Sequence, residues 1–441
     1  MAFFHSHNTA AASREQQLRA NDQLKILQAQ KSRHPWRAFW LLLGPGLLVM
    51  LGENDAPSML SYAATGAQFG IGFFLPFVAL TFVMAFIAQE ITVRLGAQTG
   101  TGHAELIYRR YGKFWGNFAM FDLLFTNFLT LITEFVGIIT GAGYFGVPAW
   151  LAVLGGITVI AASIMFRRYM AWERILLSLA IFNLIFIPLA FLAHPHWASV
   201  AHAFIDWAPL PGGWNRTTIL ILLSNIGATI TPWMLFFQQG AVSDKGLHSQ
   251  HIRQGRWDTA IGAFLATLAA VACIIAVSPL YLHHMNAASF GTAQFAQSLA
   301  PYIGHFGSAL FALGILEAGL VAAAAISTSS AYAFGEVARR THSLNGSFKE
   351  SRAFYLILLS IAALAGSITL IPGFPLEWVV LLVNVVAVLT MPPAIGFLLL
   401  LANDKEVIGT HHNTPLLNIL GIGVGVFVSI AGIIYALSII F

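Results

Sequence analysis

Acidic and amide side chains interrupt an apolar segment at residues 52–59, which read GENDAPSM. The flanking residues are almost all apolar, so Glu53, Asn54 and Asp55 would lie inside a membrane-spanning helix. A carboxylate at bilayer depth is energetically costly and by default marks an ion or substrate site. Pro57 lacks a backbone N–H and interrupts helical hydrogen bonding. The stretch therefore predicts a broken helix whose freed carbonyl groups and Asp55 face a cavity rather than lipid.

A second interruption of the same kind occurs at residues 227–241, GATITPWMLFFQQGA. Here Thr231 and Pro232 stand inside an apolar helix, with polar Thr229 and Gln238 nearby. A single intramembrane proline is usually a tolerated kink, and a single buried acid can simply pair with a neighbour. Two interruptions at equivalent positions of two halves instead favour a substrate site between the discontinuous helices of an inverted-repeat transporter.

The composition is that of an all-α polytopic membrane protein. Of the 441 residues, 57% are hydrophobic and 9% are charged, against roughly 25% charged in soluble domains. Apolar stretches of about 20 residues, the length that crosses a bilayer as a helix, recur along the chain. The predicted spans number about eleven and cover roughly 38–62, 70–93, 115–141, 147–166, 174–194, 215–241, 258–281, 303–334, 352–373, 376–402 and 415–440.

The basic residues predict the orientation in the membrane. Of the 22 Lys and Arg residues, all but Arg216 fall in the N-terminal tail or on the side of the membrane that the tail occupies. Since positively charged connections stay inside, we expect a cytoplasmic N-terminus and, with an odd number of spans, an extracellular C-terminus. The positive charge is thus explained by topology, and the expected surroundings are a lipid bilayer and no nucleic acid.

The predicted organisation is a short cytoplasmic tail at residues 1–37 and a single transporter domain at 38–441. Repeat one covers about 38–194 and repeat two about 215–402, with an extra helix at about 415–440. The bacterial plasma membrane is the expected location and a monomer the expected state. No Walker motif, Cys/His cluster or paired nucleophile and base is present, so we expect neither an enzyme nor a bound cofactor.

At the interrupted helices the sequence resembles the Nramp family of divalent-metal transporters. The segment DAPSMLSYAATGA is similar to the family's span-one motif, Asp-Pro-Gly-Asn with a small-residue tail, and Asp55 and Ser58 take the Asp and Asn positions. The span-six motif, Ala-x-x-Met-Pro-His, falls on Ala228, Thr231, Pro232 and Trp233. The segments QEITVRLGAQTG, TEFVG, FALGILEAG and LLVNVVAVLTMPP extend the resemblance over nearly the whole chain.

The resemblance implies eleven helices in a five-plus-five inverted repeat of the LeuT-like type plus one. It also implies breaks at Pro57 and Pro232 and a metal site between spans one and six. The expected metal ligands are residues at the family's ligand positions, some kept and some replaced, together with nearby oxygen donors. It consists of Asp55, Ser58, the Ala228 carbonyl, Thr231, Asn384 and Asn54, while Glu53 is expected to form a structural pairing.

The departures from the family motif predict a different ion preference. The family's methionine ligand is replaced by Thr231, and its asparagine by Ser58. A thioether selects softer transition metals, whereas oxygen ligands suit Mg²⁺, Ca²⁺ and Mn²⁺. Mg²⁺ sheds water reluctantly and is commonly held by one or two carboxylates with several waters. We therefore expect a divergent, magnesium-transporting branch of the family that prefers Mg²⁺ and also carries Mn²⁺, with either ion as transported substrate.

A second set of departures concerns proton coupling. The resemblance implies proton-relay groups at four positions, which in this chain are Trp233, Gln238, Leu124 and Leu131. None of these side chains exchanges protons near neutral pH. The sequence thus predicts uncoupled transport down the electrochemical gradient of the ion. Glu134 and Glu317 remain as candidates for a residual proton path.

The sequence leaves several alternative functions open. The first is proton-coupled uptake of Mn²⁺ or Fe²⁺, with Glu134 or Glu317 completing the relay. A metal sensor on a transporter scaffold would usually carry a larger signalling domain than the tail supplies. A channel rarely needs paired broken helices, and a symporter of organic solutes would lack a reason for the metal-site motif.

Overall fold

The computed structural model describes residues 40–284 and 290–440, together with residues 17, 18, 21, 22, 24, 25 and 28 of the N-terminal tail. Most of the predicted tail therefore lies outside the described residues. Throughout the described ranges the regular structure is helical, with no strand. Eight helical segments are long and apolar enough to cross a membrane. Two shorter apolar helices and one broken helix complete the predicted set of spans.

The first half begins with the predicted broken helix. Its two pieces are α1 (Pro45–Gly52) and α2 (Ala56–Phe69). Span five is also irregular, because a 3₁₀ segment at Ile181–Ile185 joins two α-helices. The remaining helices of this half are α3 (Phe74–Thr99), the short α4 (His103–Tyr111), α5 (Lys113–Tyr144), α6 (Ala149–Ile164), α7 (Tyr169–Ala180) and α8 (Phe186–Leu192).

The second half follows α9 (Trp197–Asp206), a short connecting helix, and again begins with a broken helix. Its broken helix consists of α10 (Arg216–Gly227) and α11 (Pro232–Asp244). The helices that follow are α12 (Ile252–Leu282), α13 (Thr292–Val337), α14 (Arg352–Ile368), α15 (Leu376–Asn403), the single turn α16 (Lys405–Ile408) and α17 (Pro415–Ile440). The predicted interruptions of spans one and six are thus present, between Gly52 and Ala56 and between Gly227 and Pro232.

Several predicted span boundaries differ from the observed helix ends by more than a turn, among them the end of span one and the start of span eight. Span one continues to Phe69 rather than ending near residue 62, because its helix restarts after the break and ends only at Gly70, where φ is 67°. Span eight begins at Thr292 rather than 303. The polar residues before Gly304 suggest a loop from the sequence. In the structure they are helical, and Gly304 (φ 73°) only interrupts the helix.

Two glycines allow the close helix contacts that place the candidate site. At Gly137 of α5, an added Cβ would overlap the Cβ of Ala56, so glycine lets α5 approach the start of α2. At Gly227, an added Cβ would overlap the backbone carbonyl of Asn384 in α15. Span three and span ten therefore pack closely against the two broken helices at these positions.

A buried polar cluster fixes the start of α1 on the face that carries the tail. The Asp258 carboxylate accepts hydrogen bonds from the backbone N–H groups of Gly44, Gly46 and Leu47, at 3.0, 2.7 and 3.1 Å. Lys245 donates to Glu173 at 2.8 Å, and both side chains are fully buried. Lys245 also donates to the carbonyl groups of Leu42 and Leu43. These bonds hold span one to spans five, six and seven.

Candidate metal centre

The break in span one presents a carboxylate at the start of α2. Glu53 ends α1, and Asp55 adopts an extended backbone (φ −72°, ψ 175°) as the N-cap of α2. Its carboxylate accepts a hydrogen bond from the Ser58 backbone N–H at 2.9 Å. Pro57 falls in the first turn, where a missing N–H removes no intrahelical bond. The local sequence therefore ends one helix and starts the next with Asp55 at the junction.

The break in span six lies directly against the first one. Ala228 ends α10, and Thr231 precedes Pro232 with an extended backbone (φ −123°, ψ 152°). The Thr231 hydroxyl lies 3.0 and 2.9 Å from the two carboxylate oxygens of Glu53 and donates to them. One hydrogen-bonded contact thus joins the two interrupted helices.

A third carboxylate reaches this junction from span three. Glu134 accepts a hydrogen bond from the Ala56 backbone N–H at 3.2 Å and interacts directly with the Asp55 side chain. Glu53, Asp55 and Glu134 are at most 2% exposed. Within the described residues no Lys, Arg or His side chain pairs with any of them. Three buried carboxyl groups without a basic partner make this junction a candidate cation site.

Two polar groups lie beside Asp55, the predicted ligand Ser58 and the carboxyl group of Glu134. Ser58 is 1% exposed, and its hydroxyl adjoins the Asp55 carboxylate but makes no hydrogen bond of good geometry to a described residue. One carboxylate oxygen of Glu134 is also unpartnered. Buried polar atoms are nearly always satisfied by protein, water or an ion. The unpartnered oxygens around Asp55 therefore fit a hydrated cation.

The other predicted ligands make protein contacts. The Ala228 carbonyl accepts a hydrogen bond from the Tyr62 hydroxyl at 2.8 Å, and a carbonyl oxygen retains a second lone pair. The Asn384 amide donates to the Pro57 carbonyl at 3.4 Å, so span ten contacts the first turn of α2. Both groups lie at the breaks, and their role as ligands stays a prediction.

Asn54 is turned toward spans five and seven. Its amide donates to the Ala266 carbonyl at 2.8 Å and to the Asn183 side chain at 3.2 Å. In return, the Asn183 amide donates to the Asn54 carbonyl at 2.8 Å. Asn183 belongs to the 3₁₀ segment of span five. This reciprocal pair anchors the break to that segment.

At the four positions where the family has proton-relay groups, the side chains of this protein are partly or fully buried against their neighbours. The Trp233 ring is buried and packs edge-on against Phe237, with ring centroids 5.8 Å apart. Gln238 bridges two spans, because it accepts from Thr92 and donates to Thr259, both at 2.7 Å. Leu131 is fully buried and Leu124 is half-buried. These side chains support packing.

The two remaining acids have different surroundings. Glu134 lies at the candidate site, as described above. Glu317 of α13 is 7% exposed, and neither of its carboxylate oxygens has a partner in the described part of the chain. A carboxylate that is buried without a partner is exceptional, and the role of Glu317 in a residual proton path stays a prediction.

Sequence reasoning underestimated Glu53 and missed Tyr62 and Asn183. Glu53 was expected to pair structurally, and it does so, but with Thr231 at the centre of the site. Tyr62 stands seven residues after Asp55 on α2, so helical spacing could have placed both on one face. Asn183 carries a weaker signal, a lone amide in an apolar span.

Across the described residues, no group of three or more His, Cys, Asp or Glu side chains is arranged to hold a metal ion unaided. A cation bound at the junction would then be held by Asp55 with hydroxyl, carbonyl and water oxygens. The groups at the junction that could face a cation are carboxylate, hydroxyl and carbonyl oxygens, since the nitrogen that contacts Asp55 is a backbone N–H donor. Hard divalent cations prefer such a donor set.

Comparison with known proteins shows the class and then the family. The chain shares its fold with the crystal structure of MhsT in complex with L-phenylalanine, at a TM-score of 0.59 and 14% identity over 89% of this chain and 98% of that one. A family profile described as natural resistance-associated macrophage protein-like, Nramp, matches residues 46–438. The chain belongs to the Nramp family.

Similar proteins within this family are known by sequence and by structure. The divalent metal cation transporter MntH of Mycobacterium leprae is 22% identical over 422 residues, which cover 92% of this chain and 94% of that protein. The MntH of Brucella suis is 27% identical over 315 residues, 68% of each chain. The Eremococcus coleocola manganese transporter, crystallised with an aromatic bis-isothiourea compound, has a TM-score of 0.74 at 20% identity, over 93% of this chain and 89% of that one.

Proposed function

We propose that this chain is a secondary transporter for divalent cations that prefers Mg²⁺, also carries Mn²⁺ and moves them without coupled protons. Family membership supports the general activity, because the similar proteins are named as divalent metal cation and manganese transporters. The observation that carries the proposal is the junction of the two broken helices. There Asp55 lies among hydroxyl, carbonyl and carboxylate oxygens, with Thr231 bonded to Glu53.

Position 231 supports the preference for magnesium. A hydroxyl at this position offers a hard oxygen ligand and no preference for softer metals. Because the Thr231 proton is donated to Glu53, the oxygen lone pairs are directed elsewhere and can face a hydrated ion. The Glu53 carboxyl group adjoins the Thr231 hydroxyl and adds further oxygen atoms to the junction.

The surroundings of Trp233 and Gln238 support uncoupled transport. Neither side chain titrates, and Gln238 is committed to Thr92 and Thr259. An inside-negative potential supplies about 2.3 kcal/mol per charge per 100 mV, about twice that for a divalent ion. Uptake against a modest concentration gradient therefore needs no proton.

Proton-coupled uptake of Mn²⁺ or Fe²⁺ is the second candidate function. It is favoured by one observation, the unpartnered carboxylate of Glu317, with Glu134 at the site itself. In this alternative these two acids would replace the missing relay groups.

The deciding experiment uses purified protein in liposomes that contain a Mg²⁺-sensitive dye and a pH dye, under an imposed inside-negative potential. We expect Mg²⁺ entry without internal acidification. Acidification that tracks metal entry and is lost in Glu317→Gln would establish the coupled alternative. Entry of Mn²⁺ without Mg²⁺ would refute the magnesium preference.

A further inference from the structure

An open cavity of about 520 Å³ lies on the tail-side face, between α4 and the end of α13. It is separate from the metal centre and is lined by residues of two elements. These are Glu105, Tyr108 and Arg109 of α4 with Glu336, Arg339, Arg340 and His342 at and after the end of α13. Three guanidinium groups therefore converge on one concave surface.

The acids of this cavity are already engaged. Glu105 forms an ion pair with Arg109, one turn along α4. Glu336 is 3% exposed and accepts a hydrogen bond from the Glu105 backbone N–H at 3.1 Å. The Glu336 carboxylate also interacts with the Ala104 backbone N–H, so it faces the start of α4. Neither carboxylate is directed at the remaining arginines.

Arg339 and Arg340 carry the uncompensated charge. Both are exposed, and neither forms an ion pair with any described residue. Arg339 lies over the Tyr108 ring, 5.1 Å from its centroid, which fixes one guanidinium at the cavity wall. The backbone of Arg339 has a φ of 53°, which is unusual for a residue other than glycine. The chain turns there, and Arg340, the next residue, also lines the cavity. The guanidinium of Arg339, held against Tyr108, and the guanidinium of Arg340 thus flank the opening of the cavity.

We propose that this cavity binds a phosphate-type anion through Arg339 and Arg340, with Arg109 and His342 at its edge. Planar guanidinium groups form paired hydrogen bonds with phosphate oxygens, so arginine is the side chain that such recognition favours. The phosphate could belong to the headgroup of an anionic lipid or to a soluble ion, since the same donors recognise both. A bound anion would join α4 to the end of span eight.

The test compares the intact protein in nanodiscs of phosphatidylglycerol or phosphatidylcholine by thermal unfolding, with and without added inorganic phosphate or pyrophosphate. The variant is Arg339→Gln with Arg340→Gln. The matched control is Arg253→Gln with Lys349→Gln, two exposed cations outside the cavity. We expect an anion-dependent rise in Tm for the intact protein and the control that is lost in the variant.

The outcomes also identify the source of the phosphate. Stabilisation by phosphatidylglycerol but not by soluble phosphate would assign the cavity to a lipid headgroup. Stabilisation by phosphate or pyrophosphate in phosphatidylcholine would assign it to a soluble anion. An equal response of the variant and the control, or no response of the intact protein to any of these probes, would refute the site.

Discussion

The carboxylate of Asp55 is the acidic group that caps α2 at the junction of the two breaks. Asp55→Asn keeps the shape of the cap and removes its charge. We expect uptake to fall on the order of 100-fold, because removing one partner of a buried charged contact costs about 2–5 kcal/mol. Asp55→Ala should abolish uptake. Radiotracer or dye uptake in liposomes measures both, and full uptake by either variant would contradict the site assignment.

The hydroxyl of Thr231 contributes oxygen where the family motif has sulfur. Thr231→Met should raise uptake of Cd²⁺ and Mn²⁺ relative to Mg²⁺, because a thioether favours softer metals. Thr231→Leu is the matched control, since it has similar bulk without sulfur. Competition between Cd²⁺ and Mg²⁺ measures the ranking, and an identical ranking in the two variants would mean that position 231 does not set selectivity.

Glu53 orients Thr231, and its contribution can be separated from folding. Glu53→Gln keeps an acceptor oxygen for the Thr231 hydroxyl but removes an ionisable carboxyl group from the junction. We expect apparent Mg²⁺ affinity to fall by roughly 10–100-fold, the range typical of residues that support metal ligands. Concentration-dependent uptake gives the affinity, and unfolding in detergent checks the fold. Unchanged affinity for Mg²⁺ would mean that Glu53 only holds the two broken helices together through Thr231.

At the scale of elements, the start of α1 depends on Asp258. Its carboxylate accepts three backbone N–H groups from the segment that begins span one. Asp258→Asn replaces one acceptor oxygen with a donor, and a buried donor left facing N–H groups costs about 1–3 kcal/mol. We expect a lower Tm in detergent. Asp206→Asn, at a side chain that is 70% exposed, is the control that should leave Tm unchanged.

The elements were more predictable than the side chains between them. Hydrophobicity and length located the spans, and a proline beside polar residues located both breaks. The direction of each side chain at a break was not predictable, because irregular backbone follows neither helical nor strand periodicity. Asn54 thus points to Asn183 and Ala266, while the adjacent Glu53 points to Thr231. Tertiary contacts from spans five, six and seven decide those directions.

At the scale of the whole molecule, the basic residues predict which face is cytoplasmic. The sole cysteine, Cys273, is buried, so Cys273→Ala gives a background without thiols. In that background we expect Lys349→Cys to react with a membrane-impermeant maleimide only from the inside, and Ile205→Cys only from the outside. Both positions are exposed. The reverse labelling pattern in intact cells would show that the predicted orientation is wrong.

The contact between Gly137 and Ala56 limits how the sequence can change far from any ligand. Neither residue offers a side chain that could touch an ion, yet their close approach sets the distance between Glu134 and the start of α2. A methyl group added at position 137 has no room unless α5 moves away. A change of ion preference by substitution is therefore expected at the side chains of the breaks rather than at this contact, where any larger residue would separate Glu134 from α2.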